Sequence, residues 1–192
     1  MTVFDLLFIG AFLALVVALG TAAFVAIRGA HQRSFTIVRR TGIASGLYFA
    51  ALVAVSTLTP RRVVPLNAAQ CFDDWCITTA SAARIRSGSS DSLRVILQLS
   101  SRARGITQGE RDVRVYVVDD RNRRYQPVPD TGAVPLSIRL PPQGTVTTTR
   151  LFVLPTGAGN PALVVAHDVF PHCCIIGDAE SFLHRRTVVP LQ

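Results

Sequence analysis

The apolar positions fall into two regimes, long unbroken runs at the start and short alternating ones after residue 70. Residues 6–27 read LLFIGAFLALVVALGTAAFVAI, with no charge. A bilayer core of about 30 Å is crossed by about 20 apolar residues in a helix, so this run predicts a membrane span. A second uncharged run, TGIASGLYFAALVAVSTLT, is richer in small residues and predicts another span over about 42–59. Residues 1–59 are therefore expected to form a transmembrane helical hairpin in the lipid bilayer. The first run lacks the basic n-region and short core of a cleaved signal peptide, so it is read as retained.

Small residues recur every fourth position in both runs: Gly10, Ala14, Ala18, Ala22 and Ala26, then Gly42, Gly46, Ala50 and Ala54. That spacing places each set on one helix face, where backbones can approach closely. The favoured expectation is that the two faces pack on each other. The alternative is a face offered to another membrane protein.

Beyond residue 70 the period changes to two. Leu93, Val95, Leu97 and Leu99 alternate with Arg94, Ile96 and Gln98. Val113, Val115 and Val117 form a second series, and Leu136, Ile138 and Leu140 a third. Shorter candidates are 76–85, 146–154, 163–167 and 187–191. Alternation marks half-buried strands, and turn residues separate them at 88–91, 119–122, 141–144 and 157–161. About seven short strands at such spacing predict a β-sandwich over residues 71–192. Residues 60–70, with Pro60 and Pro65, read as a linker.

Charge then orients the chain. Arg28, Arg33, Arg39 and Arg40 lie between the two apolar runs, only Arg61 and Arg62 follow the second, and Asp5 precedes the first. Basic residues collect in short cytoplasmic loops. The expected localisation is the plasma (inner) membrane, multi-pass, with the N-terminus and the C-terminal domain extracytoplasmic. Cys71, Cys76, Cys173 and Cys174 all fall in the outer part, as a disulfide framework in an oxidising compartment would. Two patterns stay open. Either Cys71 and Cys76 pair with Cys173 and Cys174, or Cys71–Cys76 closes a local loop and the other two remain free. A Cys173–Cys174 bond between neighbours ranks last. Trp75 beside Cys76 suits a sandwich core.

All twenty basic residues are arginine. Without lysine there is no P-loop and no Schiff-base chemistry. The formal net charge is +8, but aromatics are too sparse to stack on bases, so nucleic acid is not an expected partner. Arg102, Arg104 and Arg111 lie in one loop and Arg121, Arg123 and Arg124 in the next, with a strand of roughly 23 Å between them. They are expected at opposite ends of the sandwich.

One dense group of ligand types exists: His167, Asp168, His172, Cys173 and Cys174, with His184 following. Zinc takes His and Cys, so His167, His172 and His184 are the metal candidates. No zinc-family spacing is met, however, and the expectation is no bound metal or cofactor. CFDDWC lacks the Cys-x-x-Cys form of catalytic dithiols. Asp73-Asp74 and Asp119-Asp120 read as turn residues rather than calcium loops. The serines of 87–92 have no positioned base, and no nucleophile elbow or metalloprotease helix occurs.

The stretch VRVYVVDDRNRRYQP, followed by LPPQGTVTTTRLFVLP and ALVVAH, resembles the immunoglobulin-like domains of bacterial lipoproteins and membrane-anchored proteins. Their hairpin reads as D-x-x-G-R-x-Y, followed by a P-G turn and a strand ending in F-x-x-P. Here Asn122 stands at the hairpin glycine and Gln143 interrupts the P-G pair. The likeness covers about residues 92–167. It implies an immunoglobulin-like fold outside the membrane and brings no catalytic residues. The expected architecture is thus an N-terminal two-helix transmembrane hairpin followed by an all-β immunoglobulin-like sandwich. Its expected role is non-enzymatic, in protein–protein interaction or as an accessory subunit of a membrane complex. The alternatives are an extracytoplasmic ligand or metal sensor and an envelope thiol-disulfide protein.

Overall fold

The computed structural model describes residues 3–87, 90–167, 172–178 and 180–191. They divide into two compact units. The first joins two long helices to the described residues between 172 and 185. The second begins at Arg61, holds all the strands, and resumes at Arg186.

Helix α1 is Val3–Ile27 and α2 is His31–Leu58, and both are long and apolar enough to cross a membrane. The turn between them is shorter than the sequence suggests. Gly29 takes φ +81°, its N–H bonds to the Ala26 carbonyl at 2.9 Å, and the Ala30 N–H bonds to the Val25 carbonyl at 3.1 Å. That is a Schellman ending, for which a left-handed glycine is the usual residue. The expected start of the second helix near residue 42 is therefore corrected to His31. Residues 31–41 contain no proline or glycine, and arginine and glutamine are good helix formers. Their charge marks where the apolar run begins, not where the helix does.

The helix contact corrects the packing expectation as well. Ala18 and Ala26 are half-buried and Ala22 is buried, and the Ser34 hydroxyl donates to the Ala22 carbonyl at 2.9 Å. Gly42, Gly46, Ala50 and Ala54 are instead exposed. A Cβ added at Gly42 or Gly46 would meet nothing within 4 Å. The shielded residues of α2 include Ser34, Ile37, Thr41, Tyr48, Leu52 and Ser56, and the small-residue set is not among them.

The second unit is a sandwich of two antiparallel four-stranded sheets. One holds β1 (Ala69–Phe72), β2 (Trp75–Ser87), β3 (Ser90–Ser101) and β6 (Thr145–Pro155), in the order β1-β2-β3-β6. The other holds β4 (Val113–Val118), β5 (Arg124–Tyr125), β7 (Ala162–His167) and β8 (Val188–Pro190), in the order β5-β4-β7-β8. The alternation in β3 puts Leu93, Val95, Leu97 and Leu99 into the core. There they meet Trp75, Ile77 and Phe152 from their own sheet and Val115, Val117, Leu163 and Val189 from the other. The second sheet is apolar on its other face too, where Tyr116, Val118, Val164, Ala166 and Val188 cluster.

Three expectations change here. Residues 136–140 form no strand: Leu140 exchanges a pair of backbone hydrogen bonds with Gln108, at 2.6 and 2.9 Å, and the ladder stops. Pro135 and Pro141 bracket the segment and limit its donors, so Leu136 and Ile138 only pack against the core. The linker is partly in the fold, because Val63 bridges Val188 and β1 begins at Ala69. Finally, the domain drawn as 71–192 loses the residues between 172 and 185 to the helical unit.

Candidate functional site

The described residues between 172 and 185 fold as a chain of tight turns on the helices. A 3-10 turn, His172–Cys174, begins it. Gly177 turns the backbone at φ +79°. Asp178 then ties the turns together. One carboxylate oxygen lies 2.9 Å from His172 Nδ1, the other accepts the Glu180 N–H at 2.8 Å, and its carbonyl accepts the Ser181 hydroxyl at 2.8 Å.

Side chains of α2 hold this segment. The Tyr48 hydroxyl donates to the Cys174 carbonyl at 2.8 Å. Ser56 and Ser181 share a buried hydroxyl contact of 3.0 Å. The Phe49 and Phe182 rings lie 5.9 Å apart. From the segment itself, the Phe182 N–H donates to the Cys173 carbonyl at 2.9 Å. Sequence reasoning passed over Tyr48, Ser56 and Ser181. The signal was present, since Tyr48 and Ser56 are polar groups two helical turns apart on one face of an apolar helix. Polar residues in such helices ordinarily face protein.

Between the helices and the segment lies an apolar groove of about 790 Å³, lined by Phe8, Phe12, Leu15, Tyr48, Phe49 and Phe182. Arg40, Cys173 and Cys174 also line it. Both cysteines are free, with Cys173 exposed and Cys174 half-buried, and their sulfurs stand 3.1 Å apart. Burial, and then the Cys173 thiol beside it, push the Cys174 thiol up to about 11. The arrangement is a dithiol at the wall of an apolar groove.

The remaining candidates are placed as follows. Cys71 and Cys76 are disulfide-bonded, 2.09 Å between sulfurs, directly opposite each other across the β1–β2 hairpin. Asp73 and Asp74 make the turn, with Asp73 at φ +53°. His167, on β7, is buried, with Nε2 3.0 Å from Glu110 Oε2 and the Phe72 ring 4.8 Å away. His184 Nδ1 lies 2.9 Å from the Arg185 carbonyl oxygen. Asp168 lies outside the described residues. Among the described residues no three His, Cys, Asp or Glu side chains converge on a metal-sized site.

Asp119 closes the β4–β5 hairpin. One carboxylate oxygen accepts the N–H groups of Arg121 and Arg123, and the other accepts Arg123 Nε at 2.7 Å and the Tyr125 hydroxyl at 3.0 Å. Burial alone would raise its pKa, but the bonds from Arg123 and Tyr125 outweigh burial and hold it down at about 2. Asn122 takes φ +61° in this turn, the left-handed region that asparagine tolerates. On the neighbouring sheet, Arg84 Nε donates to buried Asp91 at 2.8 Å, and Arg84 also reaches the Ala158 carbonyl at 2.9 Å.

No protein-family model matches the sequence, and no curated protein matches it. Among solved structures, the chain is similar to a β-sandwich protein from Clostridium difficile 630, with 9% identity and a TM-score of 0.45, covering 70% of this chain and 96% of the other. It is also similar to the yjhA protein from Bacillus subtilis, with 12% identity and a TM-score of 0.45, covering 67% and 98%. A conserved hypothetical protein from Bacillus anthracis gives 12% identity and a TM-score of 0.40, covering 53% and 88%.

Proposed function

We propose that the chain is a two-pass protein of the plasma membrane that carries an immunoglobulin-like sandwich on the extracytoplasmic side. It acts without catalysis, as an accessory subunit that contacts another membrane protein. The observation that carries this reading is the open face of α2. Gly42, Gly46, Ala50 and Ala54 lie in line and exposed, with empty space where side chains would project from the two glycines. In lipid, helix association rests on close van der Waals packing, and small-residue faces are where it occurs.

Two further features support the reading. Arg28 in the turn and Arg33, Arg39 and Arg40 in the first turns of α2 favour a cytoplasmic turn. The chain crosses from one sheet to the other between β3 and β4, returns between β5 and β6, and crosses again before β7. Alternation of this kind is expected of the Greek-key path of immunoglobulin-like sandwiches and supports that finer reading.

The test is the double variant Gly42→Leu/Gly46→Leu at native abundance. It is expected to fold and insert like the parent, because nothing occupies that space. Cross-linking in intact membranes, followed by detergent extraction, should recover a membrane partner with the parent chain and lose it with the variant. A parent chain that comes out alone, or a partner retained equally by the variant, would count against the proposal.

A further inference from the structure

Cys173 and Cys174 are held in a way that joins their chemistry to the groove. Their sulfurs are already 3.1 Å apart, against about 2.0 Å in a disulfide. Adjacent Cα atoms are fixed roughly 3.8 Å apart by a trans peptide, whereas bridged cysteines ordinarily stand about 4.4–6.8 Å apart. Closing the bond between neighbours must therefore turn the peptide that joins them. The carbonyl of that peptide belongs to Cys173, and it is the one that accepts the Phe182 N–H. The next carbonyl, of Cys174, accepts the Tyr48 hydroxyl. Phe182 and Tyr48 both line the groove.

We propose that Cys173 and Cys174 form a reversible dithiol–disulfide switch, exchanging with a small or protein disulfide, and that its oxidation releases Phe182 from the groove wall. The exposed Cys173 sulfur attacks one sulfur of the incoming disulfide and expels the other as a thiol carrying the Cys173 proton. Cys174 then attacks the Cys173 sulfur of the mixed disulfide, gives up its own proton, and expels the second thiol. One S–S bond breaks and one forms. The cysteine pair loses two electrons and two protons to the incoming disulfide. Cys173 acts first because it is the accessible sulfur, while Cys174, with its raised pKa, stays protonated until the mixed disulfide is in place. A bond strained in this way is readily reduced, as labile and regulatory disulfides are. The switch stands on the two thiols and not on the topology or partner proposed above.

The full chain in nanodiscs, incubated with oxidised glutathione and then mapped by mass spectrometry, tests this. The peptide carrying both cysteines should lose two hydrogens and bear no lasting glutathione. Mild reductant should restore it before Cys71–Cys76 opens. Amide exchange in the peptide containing Phe182 should rise about fivefold on oxidation, the loss of one hydrogen bond. Cys173→Ser/Cys174→Ser should show no rise. Tyr48→Phe, which frees the Cys174 carbonyl, should lower the oxidised glutathione concentration at half-oxidation, with reduced glutathione held fixed, by about fivefold. A persistent adduct on Cys173 alone would overturn the proposal. So would an internal bond that leaves exchange at Phe182 unchanged, or a Tyr48→Phe chain that oxidises like the parent.

Discussion

The two units expose opposite kinds of side chain. In the sandwich, Trp75, Phe152, Leu93, Leu97 and Leu163 are essentially inaccessible, while Arg94, Gln98 and Thr147 face outward. In the helical unit Leu13, Val17, Phe24, Phe35 and Leu47 lie outside, while small and polar side chains, Ala22, Ser56 and Ser181, share the inside with Leu52, Ile175 and Ile176. Burying apolar area drives folding only where the alternative is water. Between helices in lipid that drive is absent, and close packing with hydrogen bonds takes its place. The described residues between 172 and 185 share the exposure of the helices, with Phe182 and Leu183 outside and Ser181 inside beside Ile175 and Ile176. They follow the strands in sequence and belong to the helical unit in structure.

The difference can be broken first at two phenylalanines. Phe152→Ala should destabilise the sandwich by about 3–5 kcal/mol. Phe35→Ala, on the exposed side of α2, should change stability in a bilayer by less than about 0.5 kcal/mol. Thermal melting of both variants, reconstituted in lipid and followed by circular dichroism, checks this. Equal losses would remove the distinction between the units.

A smaller effect is expected at the β1–β2 hairpin. Cys71→Ser/Cys76→Ser opens a short loop, which should cost about 2 kcal/mol. Denaturant melts should show the loss in the sandwich transition while leaving the helical signal in place.

Smaller still is the hydroxyl pair that fastens the turn segment to α2. Ser56→Ala should cost about 0.6 kcal/mol, as such contacts do in membranes. The labelling rate of Cys174 by a maleimide should rise about threefold as the segment opens more often.

The finest distinction appears in acid. Asp119 is held at about 2 when folded, against about 3.9 when unfolded. Its contribution to stability is complete above the unfolded value and is lost as pH falls toward the folded one, because the unfolded chain binds the extra proton. Between about pH 4 and pH 2 the sandwich melting temperature should fall more steeply in the parent than in Asp119→Asn.

The sequence showed those parts of the fold that one period governs. The alternation of Leu93, Val95, Leu97 and Leu99 located β3, and an unbroken apolar run located α1. Residues 31–41 escaped because their arginines hide a helix from a reading by hydropathy. Leu136, Ile138 and Leu140 alternate as a strand does, yet neighbouring prolines deny them a ladder. Arg124-Tyr125 is too short to carry any period. The docking of Phe182 and Ser181 on α2 rests on contacts between residues more than a hundred positions apart, such as Ser56 with Ser181, and no local pattern announces them. Tyr48 and Ser56 could have been found by asking why polar groups recur on one face of a long apolar helix.

The most direct test of the account is the side of the membrane on which the sandwich lies. Paired reporters fused behind Gln192 in a Gram-negative host, alkaline phosphatase in one fusion and a fluorescent protein that matures only in the cytosol in the other, decide it. The account predicts an active phosphatase and a dark fluorescent protein. A bright fluorescent protein with an inactive phosphatase would contradict it.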